Sequence, residues 1–179
     1  MYRLKSIKLY FFSILKLFFL NFRNIYLKTN FYNKKLITFI PERIFYNPST
    51  YLSASLITSI GDFYKIANTK LELLWKISIR EKQEFENLHS FLWLTRLDRK
   101  NSKTITKNII ESWINIFFNY DPHAWEMEIM AKRIIAWSSN ADITLEDSDK
   151  LYREKFFLSL VKQSNFISKN LKTYIVFYG

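Results

Sequence analysis

The stretch from Phe85 to Arg99, FENLHSFLWLTRLDR, decides the fold, because its apolar residues recur at the period of a helix. A strand facing a core on one side would instead alternate apolar and polar residues. Two neighbouring rows follow steps of three or four residues: Phe85, Leu88 and Leu92, then Phe91, Leu94 and Leu97. The stretch therefore predicts one amphipathic helix.

Two further segments continue this period. Ser102 is predicted to cap a helix in which four apolar residues share one face: Ile105, Ile109, Trp113 and Ile116. Asp121 and Pro122 predict the start of the next helix, since Asp accepts hydrogen bonds from free N–H groups and Pro at the first position loses none. That helix is expected to continue to Trp137.

The C-terminal part follows the same plan. Residues 140–146 are predicted to form a connection, and Asp147 or Ser148 to cap a last long helix. With only two Gly and three Pro in 179 residues, few turns are available, so long helices joined by short links are expected. Short links between amphipathic helices favour antiparallel hairpins. The sequence thus predicts a mainly all-α protein.

The N-terminal arm is basic and apolar. Residues 1–45 hold nine Lys or Arg against one acid, Glu42, within a chain of formal net charge +11. The apolar run 9–22 contains Lys16 and is shorter than the roughly 20 apolar residues a spanning helix needs. No small-residue cleavage site follows it, so a signal peptide is not indicated. The compartment stays open between cytoplasm and periplasm.

Two interpretations of residues 1–28 stay open with equal weight. The segment is either a basic amphipathic helix that lies on a membrane surface or a helix that docks on its own protein. Residues 29–82 are predicted to be a linker and irregular segment, with a short irregular or β-like piece near 60–75. Residues 83–179 are predicted to form the helical domain.

Several kinds of chemistry are excluded or disfavoured. The absence of cysteine excludes a thiolate metal site and a cysteine nucleophile, and the two glycines, Gly61 and Gly179, exclude a glycine-rich phosphate loop. His89 and His123 lack partners at metal-ligand spacing. No cofactor or metal is predicted, and nucleic-acid binding ranks last because it rests on charge alone.

The tryptophans and two arginines are the remaining candidates for a binding site. The five Trp residues have the shape to stack on sugar rings, yet Trp at helical spacing is more often core, so packing is favoured. Arg96 and Arg133 lie on otherwise apolar helical faces and must each find an anion or a carbonyl. An internal salt bridge is favoured over the carboxylate of a uronate sugar.

Three motifs in this chain resemble those of the bacterial heparinase II/III family. Residues 89–97, HSFLWLTRL, are similar to that family's HSF-x-WL-x-x-L stretch, and residues 110–114, IESWI, to its helix ending in WI. The segment from Trp125 to Trp137 resembles the W…R-x-I-A-W helix, and residues 160–163 fit the helix that follows. The motifs keep the family's order and spacing across about half of the chain.

The resemblance implies an α/α toroid followed by a β-sandwich, and β-elimination on a uronate-containing, acidic polysaccharide. In the family a Tyr or His removes the proton beside the carboxylate, which Asn, His or Arg neutralises. The resemblance implies an incomplete toroid here, with the rest of the toroid and the sandwich missing because the chain is a truncated product, half of a split gene or a fragment. No catalytic residue is transferred. Five residues are expected to contribute to a substrate cleft: His89, Trp93, Arg96, Arg133 and Trp137. The alternative function is a non-catalytic helical module at a membrane surface or on a partner protein.

Overall fold

The computed structural model describes residues 2–42, 75, 82–96 and 103–178, and for 2–6, 96, 142 and 174–178 it describes the backbone alone. Within these ranges the regular structure is helical and contains no strand, as the sequence predicts. The helices are α1 (Tyr2–Lys28), α2 (Asn30–Lys35), α3 (Lys82–Ser90), a 3-10 helix (Leu92–Arg96), α4 (Lys103–Phe117), α5 (Met127–Ser139), α6 (Ala141–Leu145) and α7 (Lys150–Tyr178). The toroidal arrangement stays a prediction. The β-like segment near 60–75 lies outside the described residues except for Trp75, which is in a turn.

The helix α2 occupies part of the segment predicted to be a linker. Thr29 separates it from α1 and caps it, because the Thr29 side chain accepts a hydrogen bond from the backbone N–H of Tyr32 at 3.2 Å. The Asn33 side chain donates to the Leu27 carbonyl at 3.2 Å and accepts from the N–H of Tyr120 at 3.2 Å. The segment therefore forms a docked helix although its composition is typical of loops, because its polar side chains form hydrogen bonds with backbone groups of neighbouring elements.

The continuous helix predicted from Phe85 to Arg99 is wrong, because the chain breaks at Phe91. Phe91 has φ of 59°, a left-handed conformation that is costly for a bulky residue. The ring of Phe91 is nevertheless fully buried and stacks on Trp93 with ring centroids 5.3 Å apart. Burial of two large rings offsets the backbone strain, and the chain continues as the 3-10 helix.

The buried face of α4 is rotated relative to the predicted one. Ile109 and Trp113 are buried as expected, whereas Ile105 and Ile116 are exposed. The face of α4 that packs against the core is shifted by about one residue from the predicted face. Its buried residues are Thr106, Ile109, Ile110, Trp113 and Ile114. The prediction is therefore right about the helix and wrong about the outer two residues.

The starts of the last two long helices also differ from expectation. Glu126, rather than Asp121, is the N-cap of α5, and its carboxylate accepts from the N–H groups of Glu128 and Ile129 at 3.0 Å each. Asp121 instead closes the preceding turn. Asp149, rather than Asp147 or Ser148, caps α7 by accepting from the N–H of Tyr152 at 2.8 Å.

The predicted connection at 140–146 contains the short helix α6. Ion pairs join this region to α4: Lys103 pairs with Glu146, and Lys107 Nζ lies 2.6 Å from Asp149 Oδ2. The hydrogen bond from Lys107, followed by that from the Tyr152 N–H, lowers the pKa of Asp149 to about 2.

Aromatic residues dominate the core that these helices enclose. All five tryptophans are buried, which confirms that packing is their role in this structure. Trp113 and Trp137 meet edge to face with centroids 5.5 Å apart, and Trp137 stacks on Phe156 of α7 at 5.2 Å. Such pairs stabilise a fold beyond the area they bury.

Candidate functional site

Arg133 of α5 is fully buried in the interior. Its guanidinium donates three hydrogen bonds to three different segments: from Nε to Gln163 Oε1 at 2.6 Å, from Nη1 to the His89 carbonyl at 2.8 Å and from Nη2 to the Ala124 carbonyl at 3.0 Å. The planar fork of an arginine suits such a divergent set of acceptors. Arg133 therefore ties α3, the turn before α5, and α7 together.

All three acceptors of Arg133 are uncharged oxygens, so dipoles rather than a carboxylate compensate its charge. The His89 carbonyl belongs to the last turn of α3, where helix carbonyls lack internal partners and carry the negative end of the helix dipole. The ring of Trp113 lies 4.0 Å from Arg133 Cζ and adds a cation–π contact. Burial lowers the pKa of the Arg133 guanidinium well below its usual value.

The ring of His89 is as deeply enclosed as Arg133. His89 Nδ1 accepts a hydrogen bond from Trp113 Nε1 at 3.1 Å, and Phe85 stacks on the imidazole with centroids 4.0 Å apart. Desolvation by burial, followed by the charge of Arg133, lowers the pKa of His89 to about 3. At neutral pH the ring is therefore uncharged, and its single proton is on Nε2 because Nδ1 is an acceptor.

The remaining predicted cleft residues are interior or undescribed. Trp93 is buried, and its Nε1 donates to the Leu88 carbonyl at 3.2 Å. Trp137 is fully buried, and its Nε1 has no hydrogen-bond partner among the residues that the structure describes. Arg96 ends the 3-10 helix, and its side chain is outside the described residues. Neither described tryptophan ring offers a free face to a sugar in this structure.

The structure thus brings three of the predicted residues together, His89, Arg133 and Trp137, although in the interior rather than along a groove. His89 and Arg133 are joined by a direct hydrogen bond, while Trp137 packs on Trp113, which contacts both of them. Arg133 finds carbonyl oxygens, as the sequence requires, but the favoured internal salt bridge is wrong, because all three of its described acceptors are uncharged. The prediction that these residues line a substrate cleft in a larger assembly stays a prediction.

Sequence reasoning missed Gln163 and its neighbour Lys162, both buried on α7. Lys162 Nζ donates to the Phe118 carbonyl at 2.8 Å and to Asn119 Oδ1 at 3.0 Å, just beyond the end of α4. Desolvation lowers the pKa of Lys162 to about 8. The sequence contained a signal for Gln163, because its spacing places it on the same face of α7 as two phenylalanines. The residues on this face follow steps of three and four, and all of them are buried: Phe156, Ser159, Gln163, Phe166 and Asn170.

An open surface cleft of about 410 Å³ lies elsewhere, where the end of the N-terminal arm meets the start of α7. Its charged residues are of both signs, and Lys150 and Glu154 lie 3.8 Å apart across one helical turn. None of the five predicted cleft residues is among those that line it: Ile40, Pro41, Glu42, Ser148, Lys150, Arg153, Glu154 and Phe157.

The described residues contain neither a group of metal ligands nor a helix that could span a membrane. Over residues 2–42, 75, 82–96 and 103–178, no three His, Asp or Glu side chains are grouped so that they would hold a metal ion. Over the same ranges, none of the helices has the length and hydropathy required to cross a bilayer.

Comparisons of the chain with protein-family models, curated proteins and solved structures give no match. The resemblance to the heparinase II/III family therefore rests on the motifs in this sequence. In the structure, residues from those motifs contact one another around Arg133.

Proposed function

We propose that this chain is the N-terminal helical unit of a heparinase II/III-like polysaccharide lyase, which cleaves uronate-containing polysaccharide by β-elimination. The unit is not catalytic alone and acts with the family's catalytic toroid and sandwich. One observation supports the proposal: the three motifs that carry the resemblance, and residues 160–163 of the helix that follows them, meet at Arg133. They contribute the His89 carbonyl, the Trp113 ring, Arg133 itself and Gln163.

The contacts of Arg133 give one physical reason why these separated motifs occur together in the chain. An interior arginine requires acceptors at fixed positions, because a buried donor without a partner is destabilising by about 1–3 kcal/mol. His89 and Gln163 are 74 residues apart in the chain, yet both accept from the same guanidinium. In the proposed role these motif residues hold the hairpins of a partial toroid in register, so that the assembled enzyme has a concave wall for sugar.

The chemical character of the proposed substrate agrees with the charge of the chain. A uronate polysaccharide is a polyanion, and the formal net charge of +11 favours its approach. The proton-abstracting residue and the group that neutralises the carboxylate are assigned to the family's catalytic part, so no residue of this chain is given a catalytic role.

The test is a chimera in which this chain replaces the corresponding N-terminal helices of a heparinase II/III family lyase. The expected result is turnover of an acidic polysaccharide, measured by the ultraviolet absorbance of the unsaturated uronate product. The lyase that lacks its N-terminal helices is the matched control and is expected to be inactive. A chimera that folds, as judged by circular dichroism and a cooperative unfolding transition, but gives no product would overturn the proposal.

A further inference from the structure

The outward side of α1 is an uncovered apolar surface. Every side chain from Ile7 to Phe19 is exposed. Six apolar residues follow steps of three and four along one side and are each 46–70% exposed; they are called the outer stripe here: Ile7, Phe11, Ile14, Phe18, Phe22 and Ile25. A monomeric protein rarely exposes a continuous apolar patch of this kind without a partner for it.

The opposite side of α1 attaches the helix to the rest of the protein through residues near its C-terminal end. Leu27 is buried, Arg23 Nη2 donates to Asn170 Oδ1 of α7 at 3.3 Å, and Asn24 Oδ1 accepts from the Tyr120 hydroxyl at 3.2 Å. With 3.6 residues per turn, these three positions lie roughly half a turn away from the outer stripe. The stripe therefore faces away from the helical body.

The charge of α1 indicates what covers the stripe. The segment Tyr2–Lys28 contains no Asp or Glu, and its charged side chains are all basic: Arg3, Lys5, Lys8, Lys16, Arg23 and Lys28. A helix that combines exposed Phe, Leu and Ile with Lys and Arg is complementary to an anionic lipid surface, where apolar side chains enter the headgroup boundary and cations meet phosphates. Within the described residues no helix is suited to spanning, which leaves an orientation along the surface.

A lipid surface fits better than a second copy of the chain. Exposed apolar residues also flank the outer stripe, with Leu15 on one side and Tyr10 and Leu17 on the other. A partner helix covers a narrow seam, whereas a lipid boundary accommodates a broad surface. Pairing two copies of α1 would also bring like charges together. We infer that α1 docks this protein along the surface of an anionic bilayer, with the outer stripe in the apolar boundary. This inference does not depend on the proposed lyase function.

The first experiment is flotation of the full chain with phosphatidylcholine vesicles, with and without about a quarter of phosphatidylglycerol. We expect at least about tenfold tighter binding to the anionic vesicles, and weaker binding as added salt shortens the Debye length below about 10 Å. Equal binding to neutral and anionic vesicles, or no binding to either, would overturn the inference.

The second experiment compares two variants, each with three exposed apolar residues replaced by Ser. Phe11→Ser, Phe18→Ser and Phe22→Ser together alter the outer stripe, and they are expected to reduce binding to anionic vesicles at least about tenfold. The matched control replaces three apolar residues of other helices that are 53, 56 and 62% exposed: Ile105→Ser, Ile116→Ser and Leu151→Ser. The control variant is expected to bind anionic vesicles as the wild type does.

Light scattering tests the alternative that a second copy of the chain, rather than a lipid surface, covers the outer stripe. If the stripe variant dissociates an oligomer while the wild type ignores anionic vesicles, the stripe is covered by a second copy and the inference is wrong. If the stripe variant binds anionic vesicles as tightly as the control variant, α1 is not the docking element and the inference is again wrong. All six substituted positions are exposed, so helical content by circular dichroism is expected to stay unchanged.

Discussion

The carbonyl of His89 accepts a hydrogen bond from Arg133 Nη1 at 2.8 Å, while the ring of the same histidine accepts one from Trp113. His89 thus joins α3 to both α4 and α5 through one residue. The proximity of the guanidinium contributes to the lowered pKa of the imidazole, after burial itself. The hydrogen bond from Arg133 to the His89 carbonyl therefore favours a neutral His89 ring, because protonation of the ring would place two cations side by side in the interior.

Replacing Arg133 with Met tests whether the guanidinium holds the hairpins together. Met keeps much of the side chain's length but leaves three buried acceptors without donors. Each unsatisfied acceptor costs about 1–3 kcal/mol, partly offset because a buried charge is removed, so we expect a net loss of about 2–4 kcal/mol in the free energy of unfolding. Urea denaturation followed by circular dichroism measures it.

The matched control is Arg153→Met, since Arg153 is exposed on α7. Exposed substitutions usually change stability by less than about 0.5 kcal/mol. Equal stabilities for the two variants would show that the network around Arg133 does not stabilise the fold.

A double-mutant cycle isolates the bond between Arg133 Nε and Gln163 Oε1. Gln163→Leu alone is expected to lower the free energy of unfolding by about 1.5–3 kcal/mol, because the lost bond is to a charged group. Combined with Arg133→Met, its effect should shrink, which gives a coupling energy of roughly 1–3 kcal/mol. The exposed Gln83, replaced by Leu, is the control. Strictly additive effects would contradict the direct contact.

The sequence predicts the helices and the burial of tryptophans because both follow from local periodicity and side-chain size. It also indicates that Arg133 needs a carbonyl or an anion, because a guanidinium on an apolar face has no other way to be satisfied. Which carbonyl it finds is a tertiary property: the His89 carbonyl is available only because α3 ends at Ser90.

The break at Phe91 and the rotation of α4 could not be predicted for the same reason. A φ of 59° at a phenylalanine is unfavourable locally and is sustained by burial of its ring against Trp93, Trp113 and Trp137. Periodicity places Ile105 and Ile116 on an apolar row, but which side of that row meets the core depends on the neighbouring helices.

The cap of α5 gives a prediction that separates the two candidate helix starts. Glu126→Ala removes the acceptor for the N–H groups of Glu128 and Ile129, so we expect a loss of about 1 kcal/mol in stability. Amide hydrogen exchange at Ile129 should become faster. Asp121→Ala is the comparison and should speed exchange at Ala124 instead. Faster exchange at Ile129 in the Asp121 variant alone would favour the start predicted from the sequence.

The lowered pKa of His89 makes stability depend on pH in a defined window. Since the folded pKa is about 3 and the unfolded value is about 6.5, the unfolded chain binds the additional proton between these values. The stability that His89 contributes is fully present above pH 6.5 and is lost as the pH falls, by up to about 2 kcal/mol between pH 6.5 and 5. Asp149, with its pKa of about 2, contributes only in a more acidic range. His89→Asn keeps an acceptor for Trp113 but cannot be protonated, so urea denaturation should show a smaller loss over the same interval. Identical losses in wild type and variant would mean that His89 does not titrate on unfolding.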